Sequence, residues 1–108
     1  MPREKWRTLT EQMYYILLCL SEECCGIDMM DKIPALTGGR VKVGSGTLYH
    51  LLDEFLAAGL IRQTRSAGRR RSYILTPVGR ELLEQEYQRL RRQVGDYQRL
   101  MGKETDLS

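Results

Sequence analysis

Residues 44–77, GSGTLYHLLDEFLAAGLIRQTRSAGRRRSYILTP, combine a helical pattern with a hairpin pattern. Apolar residues in the first half recur every three or four positions, which places them on one helical face; they are Leu48, Leu51, Leu52, Phe55 and Leu56. Ser45 is the predicted N-cap, and Gly59 ends the helix. Residues 60–76 then form a predicted strand, turn and strand, with the turn at residues 66–69. The segment therefore predicts a helix with one packed face, followed by a β-hairpin.

Two further helices are predicted before this segment. Thr8 begins a capping-box pattern, with Glu11 three residues later, and starts a helix over residues 9–23. A shorter helix is predicted over residues 27–36, which Pro34 would kink or end early. Three helices followed by a hairpin are the order of a winged helix-turn-helix. We therefore expect a mainly α fold with a small β-hairpin.

A long final helix is predicted after the hairpin. Thr76 followed by Pro77 is an N-cap and first-turn signature, and the helix is predicted to end near Met101. Gly95 weakens it by about 1 kcal/mol relative to Ala. Its apolar residues alternate spacings of four and three, the heptad seam of a coiled coil; they are Leu83, Tyr87, Leu90, Val94, Tyr97 and Met101. Because such a seam needs a helical partner, we expect a homodimer with these six residues at its interface.

The positive charge of the chain is concentrated in one stretch. The net charge is +3, and residues 62–80 contain six arginines and no acidic residue. Residues 1–61 hold six basic against eight acidic residues, and residues 81–108 hold five against six. A concentrated patch is an electrostatic footprint for a polyanion, although a charge run is more often solvated surface. Here the absence of acids favours nucleic-acid binding by the hairpin.

No catalytic, metal or cofactor site is predicted. Cys19, Cys24 and Cys25 lack a Cys-x-x-Cys spacing and the chain has one histidine, so we expect reduced thiols. A redox role for Cys24 and Cys25 is the less favoured alternative. The glycine-rich residues 38–46 lack the Gly-Lys-Ser/Thr of a phosphate-binding loop. No run approaches the roughly 20 apolar residues of a membrane span, and the N-terminus is unlike a secretory signal, so we expect a cytoplasmic protein.

Five stretches resemble the PadR family of transcriptional regulators, particularly its short members with a winged helix and one C-terminal helix. They are residues 9–18, 39–44, 46–49, 58–61 and 70–79, in the family's order and spacing. At residues 25–27 the chain has Cys-Gly-Ile where family members commonly carry His-Gly-Tyr, and Ser45 stands where they often have proline. The resemblance implies a winged-helix DNA-binding domain over residues 1–76 and a dimerisation helix and tail over residues 77–108.

The resemblance also implies a docking mode in which the third helix enters the major groove with its N-terminal turn first. Its polar face would meet phosphates and base edges, while the hairpin arginines would lie on the backbone or in the minor groove. The candidate DNA-contacting residues are Lys42, Thr47, Tyr49, His50, Arg65, Arg69, Arg70 and Arg71. Strand alternation places Arg71 on the side of Tyr73, so Arg71 is predicted to be partly structural, which favours Arg69 and Arg70.

The expected function is a repressor that binds an inverted repeat in double-stranded DNA and is released by a small molecule or a stress signal. Candidate residues for a pocket that holds a flat aromatic effector are Trp6, Tyr14, Tyr15 and Tyr97, although aromatic residues at helical spacing are more often core. The alternative is a winged-helix module that binds protein and not DNA. That alternative predicts a neutral or acidic presented face, on which Asp53 and Glu54 would fit.

Overall fold

The computed structural model describes Trp6, residues 8–68 and residues 70–102. Within them the elements follow in the order α1 (Glu11–Cys19), β1 (Cys24–Cys25), α2 (Gly26–Thr37), α3 (Ser45–Ala57), β2 (Ile61–Ala67), β3 (Arg70–Leu75) and α4 (Pro77–Met101). The three helices, hairpin and long last helix are the predicted ones. The structure adds one short strand, β1.

Helix α1 is shorter at both ends than predicted. Its N-cap is Thr10, whose Oγ1 accepts a hydrogen bond from the Met13 amide at 3.2 Å, so the prediction of Thr8 as cap is wrong. The predicted end at residue 23 is also wrong. The Leu20 carbonyl accepts a hydrogen bond from the Leu75 amide at 2.9 Å, and the chain has to leave the helix there to join the sheet.

Helix α2 continues past Pro34 to Thr37 and ends at Gly38, which has a positive φ of 62°. The buried Thr37 hydroxyl donates to the Ile33 carbonyl at 2.9 Å and accepts from the Val41 amide at 3.0 Å. This hydroxyl therefore ties the end of α2 to the segment that leads into α3.

Helix α3 has the predicted amphipathic arrangement but a different cap. Leu48, Leu51, Leu52 and Phe55 are buried, and Leu56 packs against the core. The N-cap is Gly44, whose carbonyl accepts the first helical hydrogen bond from the Leu48 amide at 2.9 Å, so the prediction of Ser45 as cap is wrong. Within the described chain, no side chain caps this helix start.

The sheet is antiparallel with the strand order β1-β3-β2. Cys24 pairs with Tyr73, which makes β3 the central strand. A register shift between Gln63 and Arg65 marks a bulge in β2. The hairpin turn is tighter than predicted, since Ala67 already pairs with Arg70. A two-residue strand is too short to show any periodicity, which is why β1 was missed.

The core lies between the helices and the inner face of the sheet. Trp6 packs edge-on against Phe55, with ring centroids 5.3 Å apart. Leu82 and Glu86 are buried, so the first turns of α4 pack against the rest of the chain. The remainder of α4 projects outward, and the molecule measures 56 × 33 × 21 Å. None of the helices that the structure describes combines the length and hydropathy of a bilayer span. The architecture is the predicted winged helix with a long C-terminal helix.

Candidate nucleic-acid interface

The start of α3 presents polar groups to solvent. Thr47 and His50 are exposed, and so is Lys42 in the lead-in. The lead-in is held by the Gln12 side chain, which donates to the Lys42 carbonyl at 2.9 Å. The His50 Nε2 lies 3.5 Å from the Glu54 carboxylate on the next turn. An uncapped helix start with exposed side chains offers backbone amides and polar groups to an anion.

Tyr49 is both part of this surface and part of the packing. Its ring is half-buried against the start of α2, where a Cβ added to Gly26 would lie 3.2 Å from the ring. Because of this close approach, the Tyr49 ring of α3 is held against the first residue of α2. Tyr49 was predicted only as a DNA contact, and the packing role could not be read from the helix pattern.

A polar groove separates α3 from the hairpin, which we call the wing (β2, β3 and the residues between them). It encloses about 340 Å³ and is lined by Tyr49, Asp53, Gly68 and Arg71. The groove therefore joins the presented face of α3 to one face of the wing.

The wing has two faces with different arginines. Tyr73 and Leu75 are buried on the inner face, as predicted. Alternation along β3 places Arg71 on that same face, beside α3. Burial raises the pKa of the Tyr73 phenol, and the hydrogen bond and charge of Arg71 act in the opposite direction. Arg71 therefore lines the groove while it supports the inner face, and its DNA contact stays a prediction.

On the outer face the wing arginines contact acidic side chains from outside the wing. The Arg70 Nη2 lies 3.0 Å from the Asp28 carboxylate, and the Arg65 Nε lies 3.6 Å from the Glu23 carboxylate. Residues 62–80 contain no acidic residue, but the fold brings Glu23 and Asp28 close to two of their arginines. Arg69 lies outside the described residues.

The four candidate effector residues do not form one cluster within the chain, although the Tyr14 and Tyr15 rings meet edge to face with centroids 5.4 Å apart. Trp6 is 3% exposed and belongs to the core. The Tyr15 hydroxyl accepts a hydrogen bond from Arg40 at 3.0 Å, on the side of the α3 lead-in. Tyr97 lies on the projecting part of α4. Tyr14 lines a groove of about 570 Å³ between α1 and α4.

The three cysteines are buried. Burial raises the pKa of the Cys19 and Cys24 thiols, which lowers the fraction of reactive thiolate. Among the described residues, no group of three or more potential metal ligands is arranged to hold an ion.

The predicted seam of α4 divides between the core and solvent. Leu83 packs against the core at the near end. Further along, α4 exposes a set of large apolar side chains, at 44% to 67% of their surface; they are Tyr87, Val94, Tyr97, Leu100 and Met101. Leu100 is the one that the heptad pattern did not include.

Residues 16–85 match the sequence model of the transcriptional regulator PadR-like family. The chain is 36% identical over 80 residues to an uncharacterized 37.1 kDa protein in transposon TN4556 of Streptomyces fradiae, an alignment that covers 74% of this chain. It spans only 23% of that longer relative.

Solved structures share the fold. A transcriptional regulator from Clostridium thermocellum superposes with a TM-score of 0.71 at 18% identity, covering 87% of this chain and 99% of that one. A PadR family transcriptional regulator from Eggerthella lenta gives 0.66 at 22% identity, covering 83% and 77%. Because the family match runs from α1 into α4, the chain belongs to the PadR-like family of transcriptional regulators.

Proposed function

We propose that the chain is a homodimeric repressor that binds an inverted repeat in double-stranded DNA through α3 and the wing. The observation that carries the proposal is the polar groove between these two elements, where Arg71 faces the presented side of α3. An exposed helix start beside a basic hairpin fits the major groove and the adjoining backbone.

The parts of this surface have different roles in the proposal. Thr47 and His50 read base edges, since they lie on the exposed first turns of α3. Lys42 and Arg71 contact phosphates, which adds affinity without sequence information. Tyr49 acts mainly as a fixed platform, because its ring is packed against Gly26.

The dimer is proposed to form along the seam of α4. Val94, Tyr97 and Met101 are more than half exposed in the single chain. Apolar side chains repeated at this spacing are covered by a second helix when two copies associate. A two-fold dimer would present two copies of α3 to the two halves of an inverted repeat.

Release by a small aromatic molecule is the remaining part of the proposal. Tyr14, Leu83 and Tyr87 line the groove between α1 and α4, which lies beside the seam. Glu81, Glu84 and Arg80 also line it, and this excess of one negative charge favours a cation. Titration with an acridine dye should raise the melting temperature of the wild type and not of Tyr14→Ala. An equal shift in both proteins would argue against this groove as the site.

Gel-shift titration tests DNA binding, with the segment upstream of the chain's own operon as probe. Binding should weaken steeply between about 50 and 200 mM salt, because phosphate contacts release counterions. Arg71→Ala should weaken it about tenfold and lower the salt slope by about one. Arg92→Ala removes the same charge from the exposed side of α4 and is the matched control. Salt-independent binding, or equal losses in both variants, would contradict the proposal.

A further inference from the structure

Two acidic residues outside the wing hold two of its arginines. Asp28 lies in the first turn of α2 and contacts Arg70 at 3.0 Å. Glu23 precedes β1, and its carboxylate accepts a hydrogen bond from Thr64 and lies 3.6 Å from Arg65. Because β3 lies between β1 and β2, the Glu23 side chain reaches across the central strand. Both contacts join the body of the domain to the outer face of the wing.

These pairs are solvent-exposed. The side chains of Arg70 and Asp28 are 60% and 57% exposed, and those of Arg65 and Glu23 are 79% and 40% exposed. Exposed ion pairs are weak and readily exchanged, because water screens the charges. They add little to folding, yet they determine what each guanidinium contacts before any partner arrives.

A carboxylate and a phosphate compete for the same guanidinium. Both are anions that accept paired hydrogen bonds from the planar arginine group. An incoming phosphate must displace the carboxylate, which then stays close by as a repelling charge. The two effects act in one direction, and both weaken binding to DNA.

We propose that Asp28 and Glu23 occupy, on Arg70 and Arg65, the places that DNA phosphates take in the complex, and so restrain the affinity of the wing for DNA. The inference rests on the proposed function, since it concerns the outer face of the wing that is proposed to bind DNA. In this proposal Asp28 and Glu23 do not contact DNA themselves; they act on DNA binding through Arg70 and Arg65.

The test uses the full chain and a random-sequence 30-base-pair duplex, because phosphate contacts do not depend on sequence. Fluorescence anisotropy should show that Asp28→Asn binds about threefold to tenfold more tightly than the wild type. Glu23→Gln should act in the same direction.

The partner arginine distinguishes this mechanism from a general charge effect. Arg70→Ala should weaken DNA binding more in the Asp28→Asn background than in the wild type. Asp28→Glu keeps the carboxylate and should bind the duplex with wild-type affinity. Asp31→Asn removes the same charge from the same exposed side of α2, and no ion pair of the described residues joins Asp31 to the wing. It is the matched control, and all variants should unfold at the wild-type midpoint.

The outcomes separate the inference from the proposed function. A wild type that binds the duplex, with Asp28→Asn equal or weaker, overturns the inference and leaves DNA binding standing. Equal tightening by Asp31→Asn also overturns it, because net charge alone would then explain the gain. A wild type that fails to bind this duplex and the upstream segment at every salt concentration overturns both.

Discussion

At Gly79 the backbone of α4 touches the turn that follows α3. A Cβ at this position would lie 2.0 Å from the Leu60 carbonyl oxygen, far inside van der Waals contact. The Gly79 amide donates to the Thr76 hydroxyl at 3.1 Å, and that hydroxyl donates to the Gly59 carbonyl at 2.6 Å, which holds the helix start against the turn. A residue with a side chain would push α4 away from the domain.

We expect Gly79→Ala to lower the free energy of unfolding by about 2 to 4 kcal/mol, because the clash is with backbone. Gly95→Ala is the control, since nothing lies within 4 Å of its Cβ position and alanine favours a helix. It should raise stability by roughly 0.5 to 1 kcal/mol. Urea unfolding measures both, and similar effects of the two variants would contradict the packing argument.

Glu86 is a buried carboxylate that connects α4 to the start of α1. Its oxygens accept hydrogen bonds from Arg89 at 2.9 and 2.6 Å, and one also accepts from the Leu9 amide at 3.3 Å. The Arg89 hydrogen bonds hold the pKa of Glu86 below its usual range, although burial acts in the opposite direction. The ionised form is therefore part of the folded state.

We expect Glu86→Gln to lower stability at pH 7 by about 1.5 to 3 kcal/mol, through lost charged hydrogen bonds. A depressed folded pKa gives stability that is complete above the unfolded pKa and is lost as pH falls through the folded value. The gap between wild type and variant should thus narrow below about pH 4.3. Urea unfolding across pH measures it, with the exposed Glu84→Gln as control. If the stability difference between wild type and Glu86→Gln did not change with pH, the ionised form of Glu86 would not be the stabilising one.

Among the elements, α1 begins at a different N-cap from the one that the local sequence pattern favours. Thr8 and Thr10 are both hydroxyl residues, and the capping-box spacing favours the first. In the structure the Leu9 amide donates to Glu86 on α4, and the Thr10 hydroxyl accepts a hydrogen bond from the Met13 amide. Thr10 then becomes the cap, two residues later than local sequence predicts.

Thr10→Ala should therefore lower the free energy of unfolding by about 1 kcal/mol, the usual value of an N-cap. Thr8→Ala should change it by less than about 0.5 kcal/mol, as at other exposed sites. Thermal or urea unfolding of the two variants decides between the caps. A larger loss of stability in Thr8→Ala than in Thr10→Ala would instead identify Thr8 as the N-cap and place the start of α1 at residue 9.

At the scale of the whole molecule, α4 has two parts with different surroundings. Gly79, Leu82 and Glu86 face the domain, whereas Val94 and Tyr97 are more than half exposed. A single chain leaves this apolar stripe in water, and exposed stripes of this kind mark protein contacts. The match over residues 16–85 confirms the family as PadR-like transcriptional regulators. The dimer stays a prediction.

Val94→Glu should weaken self-association by about 100-fold, because it places an uncompensated charge in the proposed interface. Arg92→Gln makes the same change of one charge on the opposite side of α4 and should leave the dimer intact. Sedimentation velocity over a range of protein concentrations measures both. A wild type that stays monomeric at all concentrations would contradict the seam as a dimer interface.

The sequence by itself determined the helix order, the packed face of α3, the hairpin and the extent of α4, because each depends on periodicity and caps close in the chain. The tertiary structure decided what depends on distant partners. Cys24 and Cys25 form a strand because β3 lies beside them, and the Leu9 amide ahead of α1 is bonded to Glu86 on α4. The charge pattern of the sequence predicted a basic wing with no acidic residue near its arginines. Only folding brings Glu23 and Asp28 onto its arginines, since residues about 42 positions apart have no relation that a local pattern can show.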